Sequence, residues 1–101
     1  MLKHKIVELK GEIIIYSDHV IKMVEKSLKG LKFKDSNILN EVIKVDEPIA
    51  NKYEIKIDEL CTGTIALFQP EAKDLRTILS ILKINNDLER IGDLAVNIAE
   101  A

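Results

Sequence analysis

The chain has 101 residues, enough for one domain and too few to split into two self-sufficient cores; 47% apolar and 32% charged residues with four Gly, two Pro and no Trp suit a soluble helix bundle and exclude a disordered tail. Its 15 basic and 17 acidic side chains are scattered for a net charge of −2, so no basic stripe exists to neutralise nucleic-acid phosphates. The single Cys61 has no internal disulfide partner, and no apolar run of about 18 residues or signal-type segment is present, so the expected location is the cytoplasm, with any membrane contact indirect.

Leu2, Ile6, Leu9, Ile13, Tyr16, Val20 and Met23 recur at spacings of four and three, which predicts one long helix over about residues 2–31. Ile14, Val24, Leu28 and Leu31 widen the stripe, so two neighbours are expected against it, and Gly30 is the expected stop. Asp35, Ser36 and Asn37 are good N-caps for a second helix over about 36–68, carried by Leu39, Val42, Ile49, Tyr53, Ile57, Leu60, Thr64 and Leu67. Pro48 lies inside that run, where a missing N–H and a ring clash predict a kink or local break.

Pro70 fits the first turn of a third helix over about 70–101, with Glu71 and Asp74 near its positive end. Leu75, Ile78, Leu79, Ile81, Leu82, Ile84, Leu88, Ile91, Ala95 and Ile98 make it apolar around much of its circumference, so other helices should wrap it. With short connections and no internal repeat, the expected fold is all-α, an antiparallel three-helix bundle forming one domain over residues 1–101.

At about 100° per residue, Ile84, Leu88, Ile91, Ala95 and Ile98 define one stripe, and Glu89 and Asp93 project almost opposite to it on the face that carries Leu75, Ile78 and Leu82. Carboxylates four residues apart lie roughly 5–6 Å apart at Cβ, so any desolvation calls for a Lys, a shared proton or a hard metal ion. The second helix offers oxygen ligands at the same spacing, Glu47 with Asn51 and Glu54 with Asp58. A pair of acids at this spacing is usually solvated charge on a helix surface, and the position of Glu89 and Asp93 in an apolar stripe is what sets a functional reading beside the structural one.

The stretch QPEAKDLRTILSILKINNDLERIGDLAVNIAE, Gln69 to Glu100, closely resembles the conserved segment of the PhoU family of phosphate-uptake regulators, and DEPIANKYEIKIDELC, Asp46 to Cys61, resembles that family's second helix. The resemblance implies three-helix bundles, usually two in tandem, of which this chain has the length of one. It implies that Glu89 and Asp93 are the third-helix acids with which some members hold a multinuclear iron or zinc cluster, while Mg or Mn also suits such oxygens. It makes Glu47 and Asn51 the equivalent second-helix pair; Glu54 and Asp58, by their spacing, and Asn86, by its place beside the acids, are the weaker candidates. Asn51 stands where many members carry a carboxylate and Leu94 where many carry His, so weaker, oxygen-only binding is expected. The implied role is negative regulation of the phosphate-starvation response, through the ATPase of the phosphate ABC transporter and a sensor histidine kinase. A homo-oligomer, most simply a homodimer, is expected to bury Ile14, Ile15 and Phe33.

His4 and His19 have no ligand at metal spacing and are expected to be solvated or packed, and Cys61 beside Leu60 has no neighbouring base and is expected to be a small buried hydrophobe. Asn85 and Asn86 interrupt a strong helix, which predicts a hydrogen bond across the bundle or a ligand beside the acids. Asp87 with Arg90, and Asp74 with Arg76, read as surface ion pairs. The sequence contains no ExxH, Walker lysine loop, Ser/His/Asp set or Gly-rich cradle, so a dimetal enzyme is the weaker reading. The further alternative is a structural or interaction bundle, or a cytosolic PhoU-like part of a sodium/phosphate cotransporter, in which the acids are merely solvated.

Overall fold

The computed structural model describes residues 1–101, all of them helical apart from short connections. α1 spans Leu2–Phe33, α2 Ser36–Glu41, α3 Glu47–Phe68 and α4 Ala72–Glu100. A π-helical turn, Val42–Asp46, joins α2 to α3 without a break, so the chain forms three long helical arms.

Each arm begins and ends for a local reason. α1 runs past the expected stop at Gly30 and ends at Lys34, which adopts the left-handed conformation and leaves Asp35 to donate its N–H to the Gly30 carbonyl. Gly30 serves instead as a crossing point: a Cβ there would lie 2.5 Å from a Leu39 methyl. Asp35 caps α2 as expected, its carboxylate accepting from the N–H groups of Asn37 at 3.0 Å and Ile38 at 3.3 Å.

The disturbance expected at Pro48 is the π turn. Pro48 falls in the first turn of α3, and Glu47 N–H bonds to the carbonyl of Val42, five residues back, so the wider ring absorbs the donor that proline lacks while the helix continues. Pro70 departs from expectation, because left-handed Gln69 ends α3 and α4 starts only at Ala72; Pro70 belongs to the turn and Glu71 is the N-cap.

The three arms pack on one another around Leu9, Tyr16, Val20, Met23, Val42, Ile57, Cys61, Ile78 and Ala95. From α1 to α3 the paired residues run in opposite senses: Glu12 meets Lys56 at 3.2 Å, and the His19 ring meets the Asp46 carbonyl at 2.9 Å. A short turn then reverses the chain into α4, and Ser27 Oγ donates to the Ala95 carbonyl at 2.7 Å to tie α1 to α4. These contacts are consistent with the antiparallel bundle expected, drawn out to 50 × 18 × 17 Å. No helix is long and apolar enough to cross a membrane.

The buried stripe of α4 is Ile78, Ile81, Asn85, Leu88, Gly92, Ala95, Val96 and Ala99. The expected stripe shared only Leu88 and Ala95 with it; Ile84 and Ile91 are exposed and Ile98 is half-buried. Small residues at Gly92, Ala95 and Ala99 let α1 and α3 close against α4 where larger side chains would hold them apart. Likewise Ile49 and Leu67 of the second arm face solvent, while Asp46 and Ala50 are buried.

Candidate functional site

Glu89 and Asp93 are both exposed, so they do not continue an apolar stripe as expected. They stand at its rim, on the side facing α3. Asn85, one turn before Glu89, is almost wholly buried and donates from Nδ2 to the carbonyl of Glu54 at 3.0 Å, which fixes α3 against α4 at this level. This is the cross-bundle bond expected of the Asn85–Asn86 interruption; Asn86 itself is exposed.

That bond places the Glu54 carboxyl beside Glu89. Partial burial, then the charges of Glu89 and Asp58 and a hydrogen bond shared with Glu89, push the Glu54 carboxyl above its usual range. Tyr16 looks onto the same seam from α1. Its phenol is pushed up to about 12, first by burial and then by the negative charges of Glu54, Glu89 and Asp93. The seam therefore collects Glu54 and Asp58 from α3, Glu89 and Asp93 from α4, and Tyr16 beneath them.

The structure thus joins Glu89 to the pair given less weight in the sequence. Glu47 and Asn51 lie toward the start of α3, and neither forms an ion pair or a side-chain hydrogen bond with Glu89 or Asp93. In the sequence Tyr16 reads as one more member of the α1 core stripe. Its only signal is a polar hydroxyl at a position otherwise filled by aliphatic side chains.

The donors at the seam are all oxygens, and Glu89 and Asp93 are exposed, a chemistry that fits a hard or borderline cation. As placed, no three His, Cys, Asp or Glu side chains converge closely enough to hold one. The buried Asn85 Oδ1 has no hydrogen-bond partner, so the seam retains one unsatisfied oxygen in the same turn. The surface hollows open elsewhere, and none is lined by Glu54, Asp58, Glu89 or Asp93.

A second polar group surrounds the π turn. Lys26 pairs with Glu41 and lies 3.1 Å from the carboxylate of Asp46, whose side chain is only 8% exposed. The hydrogen bond to Glu41, and secondarily the one to Asp46, raise the Lys26 pKa against an opposing effect of burial. His19 donates from Nε2 to the Asp46 carbonyl and lies against Tyr53, which stacks on Tyr16. This accounts for His19 as a packed histidine. Cys61 is fully buried, and desolvation followed by Asp58 pushes its thiol up to about 11, the packing role expected of it. Asp87 and Arg90 form an exposed pair at 3.7 Å. Asp74 and Arg76 are not an ion pair, since residues two apart on a helix point to different sides.

The sequence profile of the PhoU domain matches residues 13–101. A phosphate-specific transport system accessory protein PhoU homolog from Aquifex aeolicus is 43% identical over 93 residues, 92% of this chain and 42% of that protein. The one from Borreliella burgdorferi is 42% identical over 81 residues, 80% of this chain and 36% of that protein. PhoU homolog 1 of Thermotoga maritima is 34% identical over 101 residues, 93% of this chain and 43% of that protein. The chain spans about two-fifths of the length of these curated relatives, and no solved structure matches it. The match takes in the π turn, all of α3 and all of α4 with the acids of their seam, and on it the chain belongs to the PhoU domain family.

Proposed function

We propose that this chain is a phosphate-transport accessory domain of the cytoplasm that regulates phosphate uptake by binding, not by catalysis. Its partners in this reading are the ATPase of the phosphate ABC transporter and a sensor histidine kinase. A cation held by Glu89 and Asp93 of α4 with Glu54 of α3, and with Asp58, Glu47 or Asn51 as further oxygens, assists that contact. Iron or zinc suits the role by family resemblance, and Mg or Mn by donor chemistry.

The observation that carries the proposal is the family match over most of the chain to proteins named as phosphate-specific transport accessories. The acidic seam supports it physically. Exposed carboxylates beside an already strained Glu54 are a surface where positive charge lowers the free energy, whether it comes from an ion or from a partner's Lys and Arg. A second reading, an interaction bundle or a transporter's cytosolic segment with solvated acids, is favoured by the absence of three converging ligands.

Affinity for the purified transporter ATPase separates these readings, measured with Zn²⁺ or Mn²⁺, with chelator, and with Glu89→Gln/Asp93→Asn. The proposal expects binding that weakens about tenfold in chelator and in the variant, the usual scale for losing one charge-assisted contact. Binding that ignores both would remove the cation from the account, and no binding under any condition would remove the regulatory role.

A further inference from the structure

The outward side of α1 is both apolar and basic. Its buried residues, centred on Leu9, Tyr16, Val20 and Ser27, fix which side faces the bundle. At about 100° per residue, Val7, Ile14, Ile15, Ile21, Leu28 and Phe33 fall in the opposite arc, and all are exposed. The same arc carries Lys3, Lys10, Lys22, Lys29 and Lys32 against two acids, Asp18 and Glu25. Lys22 pairs with Asp18 at 3.0 Å, and the other four lysines form no ion pair within the chain. The Lys32 ammonium lies 5.4 Å from the centre of the Phe33 ring, so a cation stands beside an exposed aromatic side chain.

We infer that this side of α1 lies flat on an anionic lipid surface, with its isoleucines and Phe33 among the headgroups and its lysines against the lipid phosphates. The contact is direct, where the sequence suggests only an indirect one, and it stays at the surface because no helix is apolar enough to cross. Lysine suits such a face, since its methylene stem lies along apolar neighbours while the ammonium reaches outward.

Shape and charge both favour lipid over a protein partner. Val7 to Phe33 spans about 39 Å at the rise of a helix, so the apolar side chains are spread along an extended edge. None of the surface hollows is lined by Ile14, Ile15, Ile21, Leu28 or Phe33. A protein partner gains most from a central pocket that seats an anchor, whereas a lipid surface needs only scattered apolar side chains with cations beside them. Lysines outnumber acids along α1, while Glu54, Asp58, Glu89 and Asp93 gather on the α3–α4 seam across the bundle. An anionic surface therefore attracts the α1 side and repels the seam. The inference does not depend on a cation at that seam; it leaves the seam facing away from the lipid, open to soluble partners.

Co-sedimentation with vesicles tests the inference, at about 50 mM salt, using phosphatidylcholine alone or with about 30% phosphatidylglycerol. The chain should partition onto the anionic vesicles and not onto the neutral ones, and about 500 mM salt should weaken binding at least tenfold. Lys29→Glu/Lys32→Glu and Ile21→Ser/Phe33→Ser should each weaken it by about the same factor, with helicity unchanged by circular dichroism. Lys52→Glu/Lys83→Glu makes the same change in net charge at exposed sites on α3 and α4 and should bind as the parent does. No uptake by anionic vesicles overturns the inference and leaves the face to a second copy or an acidic protein. Equal uptake by both kinds of vesicle, or binding unchanged by Lys29→Glu/Lys32→Glu, also overturns it, as does an equal loss in Lys52→Glu/Lys83→Glu.

Discussion

Glu54→Gln should stabilise the protein at neutral pH, because its carboxylate is held against other negative charge. Asn85 binds the Glu54 backbone carbonyl, not its side chain, so glutamine keeps the bond that fixes α3 against α4. What changes is the repulsion, since Glu54 faces Glu89 across the seam and Asp58 one turn along its own helix. Like charges at the i,i+4 spacing cost about 0.2–0.5 kcal/mol each in solvent-exposed helices. Two such neighbours, with some burial, put the gain at ~0.5–1 kcal/mol, or about 3–6 °C in a domain of this size.

The pH dependence carries the sharper test. The folded-state pKa of Glu54 is raised above 4.5, so the penalty is absent below that value, where both folded and unfolded chains are protonated. It develops as pH rises from the unfolded to the folded pKa and is complete above both. Thermal unfolding followed by circular dichroism should therefore show Glu54→Gln more stable at pH 7 and the two proteins converging near pH 4. A variant less stable at pH 7, or an advantage that persists unchanged in acid, would show that Glu54 is not held against its neighbours' charge.

Lys26→Met should lose about 1–2 kcal/mol in denaturant unfolding, because it leaves the nearly buried Asp46 without its cation; the partial exposure of Lys26 keeps the cost below that of a fully buried pair. Adding Asp46→Asn should recover much of that loss, and a neutral Lys26→Met would show the pair to be ornamental. Cys61 should resist iodoacetamide in the native protein at pH 8, since its thiol is buried and pushed up to about 11, and should react fully in urea. Rapid stoichiometric labelling without denaturant would refute the placement of Cys61.

The arms were legible where large apolar residues alone carry the period. In α1, Leu9, Ile13, Tyr16, Val20 and Met23 are both hydrophobic and buried, so pattern and packing agree. In α4 the two diverge. The packed positions are spaced four and three apart as Ile78, Ile81, Asn85, Leu88, Gly92, Ala95 and Ala99, and the polar or small members give no hydrophobic signal, while Ile84 and Ile91 give a strong one and face solvent. The more hydrophobic stripe is therefore not the packed one, and Glu89 and Asp93, expected to continue the face of Leu75, Ile78 and Leu82, are exposed.

Chain ends of helices were legible through chemistry and not through composition. Asp35 could be read as a cap because its carboxylate has two N–H groups to accept from, but the left-handed Gln69 that excludes Pro70 from α4 has no residue-type signature. The spacing of Glu89 and Asp93 marks them as a pair on α4, and their negative charges reach Tyr16 along with that of Glu54. It could not choose the α3 partner, since Glu47 with Asn51 and Glu54 with Asp58 share one spacing, and the deciding contact is Asn85 on another helix.

Cation uptake at the α3–α4 seam is the part of the proposed mechanism most directly open to measurement. Calorimetric titration of metal-free protein with Zn²⁺, compared with Glu89→Gln/Asp93→Asn of unchanged helicity, measures this directly. A binding event present in the first and absent in the second is the predicted result; identical heats and stoichiometry in both would contradict it.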